Sequence, residues 1–217
     1  MVSALPERAI PSAGRETGMA KGTGPHLTAD DIRMLLFEIG EALSSAGRMA
    51  EIAIYGGSAL LLMGGSRNST KDVDFVPVSG DDGALMKAAA EVGLRHGLEQ
   101  DWLNDAVSIF VSESPDYRTV GDFPPERPGL RVFTASPHYL LAMKLMSMRS
   151  PFETNDFPDI WELADICGVA DADEARKWLE GFYPDSPLPA HRSLILDDIF
   201  AAKAAGQDYD SRLAWGA

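Results

Sequence analysis

Residues 52–75 constrain the fold of this chain more than any other stretch. An apolar run, Ile52-Ala53-Ile54-Tyr55, passes into Gly56-Gly57-Ser58-Ala59-Leu60, and a second apolar run follows with Asp72 and Asp74 at alternate positions. The first run reads as a buried strand, which the glycines turn into a short helix beginning near Ser58. Side chains at i and i+2 of a strand share a face, so Asp72 and Asp74 are expected to present two carboxylates side by side. Two anionic oxygens on a rigid strand suit Mg²⁺ (or Mn²⁺), with phosphate and water completing the shell. The Gly56-Gly57-Ser58 turn allows close backbone approach and offers free N–H groups at a helix start, which favours a phosphate. A divalent cation beside a phosphate cradle is the arrangement of a phosphoryl-transfer site.

Other readings of the same residues are weaker. Gly56-Gly57 could form only a tight turn, and Asp72 could only solvate an edge strand. Asp-x-Asp also holds nucleotide-sugar diphosphates in glycosyltransferases, but those usually lack a Gly-Gly-Ser turn closely upstream. HAD-type phosphatases follow Asp-x-Asp with Gly-Thr, whereas Phe75-Val76-Pro77 follows here.

The segment from Ser136 to Arg149 reads as a helix, with Ser136 as N-cap and Pro137 at the first helical position. Leu140, Leu141, Leu145 and Met148 mark one face at helical spacing, and Lys144 shares it. An ammonium group on an inward face is costly unless it meets a carboxylate or a phosphate. The next helix is placed at 156–167, because Pro158 is tolerated only in a first turn. Asp156 and Asp159 are then neighbours in that turn, where acidic groups also complement the helix dipole.

Taken in order, these residues resemble the nucleotidyltransferase superfamily, whose signature is a strand, Gly-Gly or Gly-Ser, a spacer, then Asp-x-Asp. The closer resemblance is to the AbiEii-type, toxin-like branch and its DUF6036-like relatives, carried by Gly56-Gly57-Ser58-Ala59-Leu60, Arg67 and Thr70-Lys71-Asp72-Val73-Asp74. Leu140-Leu141-Ala142-Met143-Lys144-Leu145 resembles that branch's lysine helix, and Asp156-x-x-Asp159 its later acidic pair. The resemblance implies a nucleoside triphosphate as substrate, with Asp72 and Asp74 as metal ligands. Gly56, Gly57, Ser58, Arg67 and Lys144 would hold phosphates, and Asp156 or Asp159 would orient the lysine or accept a proton. It further implies a nucleotidyl acceptor, either tRNA, another RNA, a protein or a small molecule, and an antitoxin partner. The chain departs from the branch in having Thr154-Asn155 where a basic residue usually precedes the first Asp. The expected strand at 106–111 also lacks the third carboxylate that many nucleotidyltransferases place there. A catalytically weak nucleotide-binding or protein-interaction module is therefore the alternative.

The expected architecture is α/β: a small mixed sheet flanked by helices, followed by a helical C-terminal lobe. Residues 1–25 read as a disordered extension rich in Gly, Pro, Ser and Ala, 26–135 as the α/β core, and 136–217 as the helical lobe that completes the site. Helices are expected at 29–45, 83–96, 172–182 and 193–204, and strands at 73–78 and 130–134. Trp102 reads as a core anchor and Asn104-Asp105 as a turn.

At 217 residues and 45% hydrophobic, the chain can bury one good core. No apolar run is long enough to span a membrane, and the lone Cys167, read as a buried thiol, suits a reducing cytoplasm. The four histidines share no ligand spacing. The net charge is −14, and residues 153–217 hold fourteen acidic against five basic side chains. That balance opposes extended nucleic-acid binding unless Arg67, Lys71, Arg131, Lys144 and Arg149 gather around the site.

Overall fold

The computed structural model describes residues 25–148 and 156–207. The N-terminal extension expected at 1–25 therefore lies outside the described residues except for Pro25, and Arg149, Thr154 and Asn155 lie outside them too.

Thr28 opens α1 (Ala29–Ser45) with a capping box: its hydroxyl accepts from the Asp31 N–H, and the Asp31 carboxylate accepts from the Thr28 N–H. The Thr28 hydroxyl also donates to Asp31 Oδ2 at 2.6 Å, and this bond, with that from the Thr28 N–H, holds the Asp31 carboxyl below its ordinary range. Ile32, Leu35, Leu36, Ile39 and Leu43 form the buried face, the i, i+3, i+4 stripe read from the sequence. Each such side chain contributes on the order of 2 kcal/mol when removed from water.

The sheet contains β1 (Ala50–Ile54), β2 (Val73–Gly80), β3 (Leu103–Asn104), β4 (Tyr117–Phe123) and β5 (Leu130–Ala135) in the order β3-β2-β1-β5-β4. It is mixed: β1 runs antiparallel to β2 and parallel to β5, β2 is parallel to β3, and β4 is antiparallel to β5. Between the strands lie α2 (Gly56–Leu62) and α3 (Asp82–Arg95), and α1 packs on β4, β5 and α3. After β5 the described chain is helical: α4 (Pro137–Ser147), α5 (Asp156–Cys167), α6 (Ala172–Phe182) and α7 (Ala190–Ala204). This is the expected α/β plan of a small mixed sheet, flanking helices and a helical tail. No described helix is long and apolar enough to cross a membrane.

One expected strand is absent. Residues 106–111 form no strand; Ala106–Phe110 is a 3₁₀ turn with no buried residue and Ile109 83% exposed. Its apolar run looked like a core strand, but nothing in the sheet pairs with it. The strand on that side of β2 is the two-residue β3, where Asn104 registers with Asp74. Asn104 was read as a turn residue, and its side chain does serve one, donating to the Asp101 carbonyl at 3.3 Å and accepting from the Ala106 N–H at 3.1 Å. Trp102 is the expected core anchor, 3% exposed with its indole N–H on the Ala89 carbonyl. β4 was not foreseen.

The fold converges on one end of the sheet. β1 and β5 are parallel neighbours, so their carboxyl ends lie together; one leads into α2, the other through the N-cap Ser136 into α4. Open sheets bind ligands outside the carboxyl ends of such strands.

Candidate active site

The chain turns at Gly56, whose φ of +62° is a left-handed conformation that side chains disfavour. A Cβ built there would lie 2.5 Å from Asp74 Oδ2, so the carboxylate of Asp74 rests against the bend. The placement follows from register: the Tyr55 N–H donates to the Asp74 carbonyl at 2.9 Å, aligning the start of β2 with the end of β1. Asp74 is half-buried, while Asp72 stands one residue before β2 and is exposed.

Gly57 is fully enclosed, and its neighbour is Arg67. A Cβ on Gly57 would lie 2.1 Å from Arg67 Nη1 and 3.4 Å from Thr70 Oγ1. Only glycine lets the guanidinium lie so close to the turn. Arg67 Nη2 then donates to Asp159 Oδ1 at 2.8 Å. Lys144 Nζ donates to Asp156 Oδ1 at 3.1 Å and sits 2.8 Å from Asp159 Oδ2, an ion pair without hydrogen-bond alignment. Both aspartate side chains are 3% exposed, Lys144 14% and Arg67 20%. Two cations and two carboxylates thus form a neutral, largely desolvated group, the condition under which buried charges are tolerated. Pro158 and the acidic first turn place both carboxylates at the start of α5, as the sequence indicated.

Ser58 is placed differently from expectation. Ser58 is 1% exposed, and its hydroxyl donates to the Tyr55 carbonyl at 2.8 Å, so it stabilises the turn. Because α2 has only seven residues, its dipole is small, and Arg67 is the stronger local attractant for an anion. Tyr55 is buried and its hydroxyl donates to Tyr117 Oη at 3.1 Å. Burial, reinforced by the neighbouring tyrosines, pushes its pKa far up, so the phenol stays neutral and is no base.

Arg131 does not join the cluster. It donates to Asp122 Oδ1 at 2.8 Å and Glu51 Oε1 at 3.0 Å, at the opposite end of β1. Lys71 is exposed beside Asp72, and Arg149 is not among the described residues. Cys167 is only partly buried, contrary to the expected buried thiol; burial pushes it up to about 11 against a smaller pull from Arg118.

Glu162 was missed from sequence. Its Oε1 accepts from the Ser66 N–H and lies against Gly65, holding the loop that delivers Arg67. The available signal was spacing, since Asp156, Asp159 and Glu162 recur every three residues along α5.

The two carboxylates expected side by side on one strand do not share it: Asp74 lies in β2 against the bend, whereas Asp72 precedes the strand and is exposed. Among the described residues no group of three or more His, Cys, Asp or Glu side chains is placed to hold a metal. Two carboxylates fit Mg²⁺, which binds through one or two of them together with substrate phosphates and water.

No curated protein matches this chain. Among solved structures it is similar to an antigenic nucleotidyltransferase-like protein from Paracoccidioides brasiliensis, at 17% identity over 78% of this chain and 95% of that one. The TM-score of that likeness is 0.41. A family model covers residues 32–181, which include the bend, the Asp-x-Asp, the lysine and the acidic pair. The chain belongs to the family described as "Nucleotidyltransferase of unknown function (DUF6036)".

Proposed function

We propose that this protein transfers a nucleotidyl group from a nucleoside triphosphate to an acceptor, using the site at the Gly56 bend. The observation that carries the reading is the meeting of Asp74 with Gly56 and of Arg67 with Gly57, beside Lys144 and its two carboxylates. Asp72 and Asp74 would hold Mg²⁺, which when bound supplies charge neutralisation for the triphosphate. Arg67, packed on the turn, grips the phosphates through its planar fork of donors. Asp159 fixes both cations in place and Asp156 fixes the lysine. A carboxylate already paired with a cation is a poor base, so the part of Asp156 and Asp159 is to orient. An acceptor oxygen attacks the α-phosphorus, and the bond from that phosphorus to the pyrophosphate oxygen breaks. The acceptor's proton leaves to solvent on the open side of Asp72. Catalysis is then positioning and electrostatics.

The finer assignment, to the AbiEii-type branch with an RNA or protein acceptor and an antitoxin partner, rests on the Gly-Gly-Ser-Ala-Leu and Thr-Lys-Asp-x-Asp motifs. One observation favours a second reading, a silent nucleotide-binding module. Besides Asp74, the acidic side chains on the five strands are Glu51 and Asp122, both engaged by Arg131, so no further strand carboxylate stands at the bend.

Labelled nucleoside triphosphates, Mg²⁺ and cell extract test the proposal. The intact protein should label an acceptor, and Asp72→Ala/Asp74→Ala should abolish labelling. Equal labelling by that variant would sink the assignment. Calorimetric binding of triphosphate with no labelling of any acceptor would support the silent module.

A further inference from the structure

A second cleft opens at the far end of α2. Its volume is about 490 Å³, within the range of small-molecule sites. The C-terminal end of α2 with Gly64 and Gly65, the β4 segment at 118–120, Thr134, Pro137, and Glu162 and Ile166 of α5 line it, with Arg33 of α1 at one side. The cleft shares α2, Glu162 and the carboxyl end of β5 with the site at the bend, but Gly56, Gly57, Asp74 and Lys144 do not line it.

Its electrostatics are unusual for so acidic a chain. Arg118 has no carboxylate within ion-pair distance among the described residues. Arg33 meets only Asp30, at 3.5 Å with that carboxylate 98% exposed, a contact of little strength. A bond from Arg33 Nη2 to the Leu62 carbonyl at 3.4 Å holds the side chain beside the cleft. The one acid in the lining, Glu162, already accepts the Ser66 N–H. Two guanidinium forks therefore border a cleft whose wall has an apolar part, Leu62, Met63, Val120, Pro137 and Ile166, beside the polar Thr119, Thr134 and Glu162.

We infer that this cleft binds a phosphate monoester carried on an apolar body of nucleotide size. Guanidinium forks match phosphate oxygens in bidentate geometry, which a lysine ammonium does not. The apolar wall favours a ligand with a flat or hydrocarbon portion over a bare ion. This assignment does not depend on the transfer reaction at the bend, so either can fail alone.

Phenyl phosphate is a suitable probe, because it offers a monoester and an apolar ring without a triphosphate. Titration of the full chain, followed by calorimetry and by arginine side-chain NMR signals, should show saturable binding that moves Arg33 and Arg118. Phenol and inorganic phosphate should each bind at least tenfold more weakly. Arg118→Ala should weaken phenyl phosphate at least tenfold, Arg118→Lys should lie between, and Asp74→Asn should leave the affinity unchanged. Displacement by AMP assigns the monoester to a free nucleotide, and displacement only by a 5′-phosphorylated trinucleotide assigns it to a nucleic-acid end. Unsaturable binding, equal affinity in Arg118→Ala with unchanged circular dichroism, loss of binding in Asp74→Asn, or displacement by neither competitor would overturn the inference.

Discussion

Asp159 lies between Arg67 and Lys144, and removing it would take the carboxylate from Arg67 and leave Lys144 with Asp156 alone in a nearly dry space. Breaking one partner out of such a group is far costlier than any surface ion pair. Asp159→Ala should lower the unfolding free energy by about 3 kcal/mol, measured by urea denaturation. Gly57→Ala acts on the same group from the other side. Its new methyl would occupy the place of Arg67 Nη1 and push the guanidinium off the turn. A charge-assisted hydrogen bond contributes about 1.5–3 kcal/mol, so triphosphate affinity should fall tenfold or more by calorimetry while the far-ultraviolet spectrum stays native. At this scale the sequence was informative because chemistry and spacing coincide: Asp74, Lys144, Asp156 and Asp159 needed only a strand and two helices to be placed. Ser58 and Arg131 show the limit. A hydroxyl at a turn can face a ligand or its own backbone, and an arginine's partner is set by cross-strand register, neither of which residue order states.

Elements with a strong period were legible, and those held by tertiary contact were not. The stripe of α1 and the caps of α1 and α4 are local signals, so those helices begin where Thr28 and Ser136 indicate. The run at 106–111 has strand composition but no pairing partner, whereas β4 mixes Arg118, Gly121 and Asp122 into a strand that exists because β5 pairs with it. Contact between elements also makes the fold vulnerable. A Cβ on Gly129 would lie 2.1 Å from the Gly40 carbonyl oxygen, so α1 passes directly over the entry to β5. Backbone cannot yield as a side-chain tip can. Gly129→Ala should cost about 1–3 kcal/mol as an overpacking change, seen as a lower urea midpoint with an unchanged slope.

The whole molecule is tuned against alkaline pH. Burial raises the pKa of Tyr55, Tyr117 and Tyr183 above their ordinary 10.0, and lifts Cys167 from 9.0 to about 11. A group whose folded pKa is raised contributes stability that is complete below its unfolded pKa and is lost as pH climbs toward the folded value. Stability from these groups should therefore hold up to about pH 9 and fall through and beyond pH 10. Circular dichroism against pH would check this, and phenolate absorbance from the buried tyrosines should appear together with unfolding rather than ahead of it. The net charge of −14 adds self-repulsion in the same direction.

The tie between Arg67 and Asp159 spans 92 residues of chain. During synthesis, the bend and Arg67 leave the ribosome long before Asp159, the arginine's counter-ion, emerges. The group that joins Arg67, Lys144, Asp156 and Asp159 therefore closes only when most of the chain has been made.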